Sequence, residues 1–216
     1  MFAEKTRTKR QLVWRRIEEE RAVLADNLES LSPAQWAVPS LCTGLSVREV
    51  LAHLTVSGTV SGPQWFLGVL RARFDFDQQV VDRLQEQLGS SPSETLNRFR
   101  RTVGSRTSPP LPAIALLGEM VVHGEDIRRP LGLVRDYPRP VLDALLRYYA
   151  GTDQVVIAKK RIDGLRLEAD DSDVTVGHGQ PVRGSSVALI MAMTGRGAYC
   201  ADLSGAGVPV LAGRAS

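Results

Sequence analysis

Cysteine and histidine are scarce in this chain, and long apolar runs are missing altogether. The two cysteines, Cys42 and Cys200, lie far apart in a sequence of 216 residues. They form no CxxC pair and no disulfide framework, which excludes a disulfide-stapled scaffold and leaves two reduced, partly buried thiols. The longest apolar run, Val187 to Met193, falls far short of the ~20 residues a spanning helix needs, so no membrane segment is expected. Met1 to Arg10 carries charges with no apolar core behind them. No secretory signal is therefore expected, and the cytoplasm is the expected compartment. The sequence contains no internal repeat and no low-complexity stretch.

A dominant charge is missing too. Lys and Arg number 27 against 24 Asp and Glu, a net charge of +3 with a pI near 9.1. Arg pairs at Arg15-Arg16, Arg100-Arg101 and Arg128-Arg129 are offset by acidic residues along most of the chain. The densest basic stretch, Lys5 to Arg10, reads as a solvated arm. A basic pI without a recognisable motif does not make a nucleic-acid binder, so no nucleic acid is expected as a partner.

What is there belongs to an ordinary globular protein: 43% apolar and 24% charged residues, enough for one large domain or two small ones. Val13, Ile17, Leu24, Leu28 and Leu31 fall on one helical face, with Glu18 to Arg21 as a charged surface. Ser32-Pro33-Ala34-Gln35 reads as a helix start that buries Trp36, and Ser46-Val47-Arg48-Glu49 as a capping box. Val47, Val50, Leu51 and Leu54 then share a face, with His53 at its edge. Gly58, Gly62 and Pro63 should bend or interrupt the chain before Trp65-Phe66-Leu67. A further helix carries Val80, Val81, Leu84 and Leu88 and stops at Gly89; Ser91-Pro92-Ser93-Glu94 starts the next, with Leu96, Phe99 and Val103.

After a Pro-rich loop from Gly104 to Pro112, Ala113 to Arg128 is helical again, and one more helix begins near Pro140. The period then changes. Leu165 to Ala169 and Val174 to Val176 alternate as short strands, Val182 starts another, Ser185 to Thr194 suits a buried helix, and Val208 to Leu211 reads as a last strand. The expected fold is therefore mainly α with a small α+β module: a helical bundle over residues 1–155 and an α+β domain over 156–216.

Glu119 and His123 are four apart on one predicted helix, so both project from one face, one turn apart. With His53 from another helix they make two imidazoles and a carboxylate. Catalytic zinc uses such a set, with a fourth position left to water or substrate. Iron(II) uses it too. Eleven glutamates and three histidines give roughly 0.15 Glu-x-x-x-His pairs by chance, so a lone pair is weak evidence and spacing alone favours an ordinary core or surface role for each histidine. His178, in a glycine-flanked turn, is read that way. Asp126, one turn beyond His123, can hydrogen-bond its other ring nitrogen and fix the tautomer, or pair with Arg129 at the surface.

Three segments together resemble a known family. WAVPSLCTGLSVREVLAHL (Trp36 to Leu54), EMVVHGEDIRRPLG (Glu119 to Gly132) and the stretch from Val182 to Leu211, with Thr194-Gly195-Arg196 and Leu203-Ser204-Gly205, are similar to the mycothiol-dependent maleylpyruvate isomerase family. The resemblance implies a DinB-like four-helix bundle followed by a C-terminal α+β domain. It also implies a zinc ion held by His53, Glu119 and His123, and a C-terminal arginine important for activity, matched by Arg196. The usual aromatic after the turn glycine is Leu45 here, a departure that touches packing rather than ligation.

A cation stabilises a bound thiolate, which can add to an electrophilic carbon. Rotation and loss of the thiol then give cis–trans isomerisation; retention gives S-transfer. The resemblance thus implies a thiol cofactor or co-substrate of the mycothiol type and a small electrophilic substrate. Arg196, between Gly195 and Gly197, suits a carboxylate. A monomer is expected, with a homodimer left open. The other class of reading is a non-catalytic metal-binding or ligand-sensing protein of the same fold. A fourth protein ligand in place of an exchangeable water would mark it. Cys42 is the soft residue in reach, read here as a packed small residue before the Ser46 cap.

Overall fold

The structure, a computed structural model, describes residues 2–62 and 83–215. The expected bend at Pro63, the Trp65-Phe66-Leu67 segment and the apolar positions Val80 and Val81 lie outside the described residues. The chain divides into two compact units, Met1–Val134 and Arg135–Ser216.

The first unit is helical, with α1 (Phe2–Asn27), α2 (Pro33–Trp36), α3 (Val47–Thr59), α4 (Pro92–Arg100) and α5 (Ala113–Arg128); residues 83–88 are helical as well. α1 and α3 each pack against both α4 and α5, which closes the four into a bundle. Its core is built by the expected stripes: Ile17, Leu24, Leu28, Leu51, Leu54 and Phe99 are fully buried, each contributing about 1.5–3 kcal/mol by leaving water. The starts are local chemistry. Ser46 accepts from the Glu49 N–H while the Glu49 carboxylate accepts from Ser46 N at 2.8 Å, so α3 begins at Val47. Ser32 and Gln35 repeat the arrangement for α2, and Ser91 caps α4. Gly89 takes φ +70°, as a left-handed stop requires.

One expectation for α1 fails. The stretch Glu18 to Arg21 is not a charged surface throughout: Glu20 is 2% and Arg21 0% exposed. Arg21 stands one turn from both Ile17 and Leu24 on the buried stripe, and its Nη1 donates to the carbonyls of Thr102 and Ser105 at 2.8 and 2.9 Å. Position on the helix outweighed charge.

The second unit begins with α6 (Arg139–Gly151), the helix that periodicity had counted with the bundle; here it packs against α7 (Ser186–Met193) and β2 (Thr175–Gly177). β1 (Leu165–Ala169) lies between β2, antiparallel, and β3 (Gln180–Gly184), parallel. Leu167 stands opposite Val182 in the parallel pair, and both are buried. A Cβ at Gly179, whose φ is +111°, would lie 2.1 Å from the Gly164 carbonyl oxygen, so the turn before β3 closes only on glycine. α7 is covered all round, with Ala188 to Met193 at 0–2% exposure. The expected strand Val208 to Leu211 is instead helix α8 (Val208–Arg214), with Pro209 in its first turn. A four-residue apolar run carries no period of its own, and a proline there supplies no N–H to a strand ladder but suits a helix start.

Candidate metal centre

The cap at Ser46 fixes where α3 begins, and His53 follows seven residues later, close to two turns along. α5 presents Glu119 and His123 one above the other, and α3 packs on α5. The three side chains meet. His53 Nε2 lies 3.5 Å from Glu119 Oε1, and the His53 and His123 rings stand edge to face with centroids 4.9 Å apart. One ligand atom from each of His53, Glu119 and His123 lies within 4.8 Å of the other two. Two donors about 2.1 Å from a common tetrahedral ion are about 3.4 Å apart, so the donor set fits a small divalent cation after slight contraction.

Asp126 is fully buried, and its Oδ2 lies 2.9 Å from His123 Nδ1. A carboxylate there accepts from Nδ1–H, which leaves the Nε2 lone pair for a metal. Burial pushes the Glu119 carboxyl above its ordinary range, while His123, the Ser57 hydroxyl and Arg21 pull it back down. A cation bound at the carboxylate favours the ionised form in the same sense.

Sequence reasoning did not foresee Ser57 and Arg21 as neighbours of Glu119, and it read Cys42, a soft residue in reach, as a packed small residue. Cys42 is half-buried, and one ligand atom each of Cys42, His123 and Asp126 lie within 4.8 Å of one another. The loop is carried there by backbone: Leu41 N–H donates to the Asp126 carbonyl at 3.1 Å, and Cys42 N–H to Ser40 Oγ at 3.1 Å. Ser57 and Arg21 help hold the Glu119 carboxyl down, and the Ser57 hydroxyl donates to the Leu54 carbonyl at 2.9 Å. Only long-range pairing of helices brings these together; no local pattern marks them, although Arg21 betrays itself by falling on the apolar stripe.

The remaining candidates lie in the second unit. His178 is exposed in its turn. Arg196 is half-buried, follows the end of α7, and donates from Nη1 to the Thr194 carbonyl at 2.9 Å. Arg161 Nη1 donates to the neighbouring Met193 carbonyl at 2.9 Å, and burial together with the charge of Arg196 holds the Arg161 guanidinium below its ordinary range. Among the described residues no helix is long and apolar enough to cross a membrane.

Residues 17–107 match the family described as mycothiol maleylpyruvate isomerase N-terminal domain. The matched stretch lies within the first, helical unit. The matched span includes His53 and ends before Glu119 and His123. The whole chain also resembles a crystal structure of the mycothiol-dependent maleylpyruvate isomerase, with a TM-score of 0.65 and 14% identity over 91% of this chain and 92% of that one. A crystal structure of a histidine-to-alanine mutant of the isomerase aligns with a TM-score of 0.63, at 14% identity and the same coverage. At such identity the likeness shows a shared fold: a helical bundle followed by a small α+β module. No curated protein sequence matches the chain.

Proposed function

We propose that this chain is a zinc-dependent enzyme that uses a low-molecular-weight thiol of the mycothiol type on a small electrophile, by isomerisation or S-transfer. The observation that carries the reading is the convergence of His53, Glu119 and His123 across two helices, with buried Asp126 behind His123. The fold shared with a mycothiol-dependent isomerase supports the choice of thiol.

His53, Glu119 and His123 would hold the metal, and Asp126 would keep His123 in the ligating tautomer. A bound zinc would supply a Lewis acid that stabilises a thiolate. Three protein ligands leave one position for an exogenous group. Arg196 is proposed to hold an anionic group of substrate through its planar guanidinium. A cytoplasmic monomer acting on small molecules fits this reading.

Cys42 favours a second reading. A thiol so near His123 and Asp126 could close the coordination sphere and make a metal-binding or ligand-sensing protein without turnover. Two measurements separate the readings. Purified protein should carry close to one equivalent of zinc, and metal analysis also distinguishes iron(II). An open site should take up an added thiol at the metal, whereas a site closed by a fourth protein ligand holds zinc without binding the thiol. His123→Ala should lose most of the metal; full occupancy in that variant would remove the assignment.

A further inference from the structure

His123 belongs to two groups at once. Its neighbours in the first are His53 and Glu119, in the second Cys42 and Asp126, and in each group one ligand atom per residue lies within 4.8 Å of the others. Among the described residues Cys42 shares no such group with His53 or Glu119. The nitrogen of His123 that meets Asp126 is Nδ1, 2.9 Å from Oδ2. Nε2, on the far side of the ring, is left for the first group.

Backbone holds Cys42 in place. Ser40 N–H donates to the Leu45 carbonyl at 2.9 Å and Leu45 N–H to the Cys42 carbonyl at 3.0 Å. The turn between them closes on Gly44 at φ +80°, a left-handed position that favours glycine. Ser40 Oγ donates to the Leu45 carbonyl at 2.7 Å and accepts from Cys42 N–H at 3.1 Å. Leu41 N–H reaches the Asp126 carbonyl at 3.1 Å, so the loop is tied to the residue whose carboxylate shares a group with the thiol. Asp126 is fully buried while Cys42 and His123 are half-buried, which leaves a way in past the thiol and the imidazole.

A nucleophile–imidazole–carboxylate triad sets its nucleophile and its carboxylate on opposite nitrogens of the ring. Here the sulfur and the carboxylate lie within 4.8 Å of each other, the arrangement of a chelate. Sulfur at about 2.3 Å and nitrogen or oxygen at about 2.1 Å from a tetrahedral ion stand roughly 3.4–3.6 Å apart. That spacing falls between the 2.9 Å of the His123–Asp126 pair and the 4.8 Å span of the group.

We propose that Cys42, His123 and Asp126 form a second cation site, for a thiophilic divalent ion. It does not depend on His53 and Glu119 being ligands, and it differs from closure of the first site by Cys42. On binding, the Cys42 proton passes to solvent and the His123 proton moves from Nδ1 to Nε2. Thiolate, imidazole and carboxylate then replace water on the ion. The soft thiolate selects against magnesium and calcium. A neutral imidazole has one lone pair, so the first group lacks His123 while this one is filled.

The test titrates the reduced, metal-free full chain with cadmium(II) and reads the ultraviolet charge-transfer band of a thiolate–cadmium bond. Cys200→Ala should show the band at full strength, because Cys42 is the other cysteine. Cys42→Ser should lose it, Asp126→Asn should bind cadmium more weakly, and His53→Ala and Glu119→Gln should keep the band. A Cys200→Ala protein without the band overturns the inference, as does a folded Cys42→Ser that keeps it or an Asp126→Asn of unchanged affinity. Should Cys42→Ser not fold, Cys200→Ala still decides, since Cys42 is then the single thiol. A band that vanishes in His53→Ala means that Cys42 closes the first site, and the inference falls. Zinc uptake unchanged in both His53→Ala and Glu119→Gln overturns the first metal site alone and leaves this one standing.

Discussion

The two units solve the same packing problem with opposite chemistry. Among the described residues, every buried charged side chain belongs to the bundle: Glu20, Arg21, Glu125, Asp126 and Arg128. The C-terminal unit buries an apolar helix instead, and its two buried polar residues are hydroxyls satisfied close by. Ser186 Oγ donates to Asp171 at 2.6 Å, and Thr194 Oγ1 to the Ile190 carbonyl at 2.8 Å. Burying charge costs several kcal/mol per ion unless it is paired. In the bundle Arg128 and Glu125 lie 3.9 Å apart as an ion pair, and the Asp126 carboxylate lies 2.9 Å from His123 Nδ1, beside residues able to hold a metal. The C-terminal unit, on this comparison, is stability first.

The comparison breaks most visibly under a core truncation. Leu189 is fully buried in α7, so Leu189→Ala should destabilise the protein by about 2–5 kcal/mol. Zinc content, measured at a temperature where the variant is folded, should not change. If Leu189→Ala empties the metal site while the bundle keeps its helical signal, the division of labour drawn here is wrong. The converse substitution is Asp126→Asn. It keeps shape and burial but removes the charge that accepts from His123, and should cost roughly 10–100-fold in metal affinity. Equal affinity by chelator competition would make Asp126 an ordinary buried carboxylate and weaken the contrast between the units.

What the sequence could show follows the same line. The caps at Ser32, Ser46 and Ser91 were legible because capping is decided within four residues. Helix Ala113–Arg128 and strand Leu165–Ala169 were legible because their boundaries carry Pro, charge and a change of period. Val208 to Leu211 was not, because a short apolar run takes its conformation from what covers it. Leu211 is fully buried there as helix. The grouping of His53 with Glu119 and His123 rested on a family resemblance, since their spacing alone was unremarkable by chance. Cys42 comes beside His123 and Asp126 through the Leu41 backbone bond to the Asp126 carbonyl, a contact that no local pattern in the sequence encodes.

Arg196 tests whether the C-terminal unit contributes only stability, and it should give the smallest change in melting temperature of the substitutions considered. Its Nη1 donates to the Thr194 carbonyl just past the end of α7, where a cation also offsets the helix dipole. That role is worth about 1 kcal/mol or less. Arg161 already donates to Met193 one residue earlier, so the helix end keeps a guanidinium when Arg196 is removed. The loss in stability should therefore be small. A substrate-holding role has a different signature: a charged contact made in the transition state disappears, and kcat/KM falls while the fold is untouched. On the proposed function, Arg196→Ala is expected to melt within a few degrees of the wild type, keep its metal content, and lose most of its thiol-dependent turnover. Arg196→Lys should recover part of that loss, because it keeps the charge but not the planar fork. If Arg196→Ala melts earlier but turns over substrate normally, Arg196 is a helix cap, and the C-terminal unit serves stability alone.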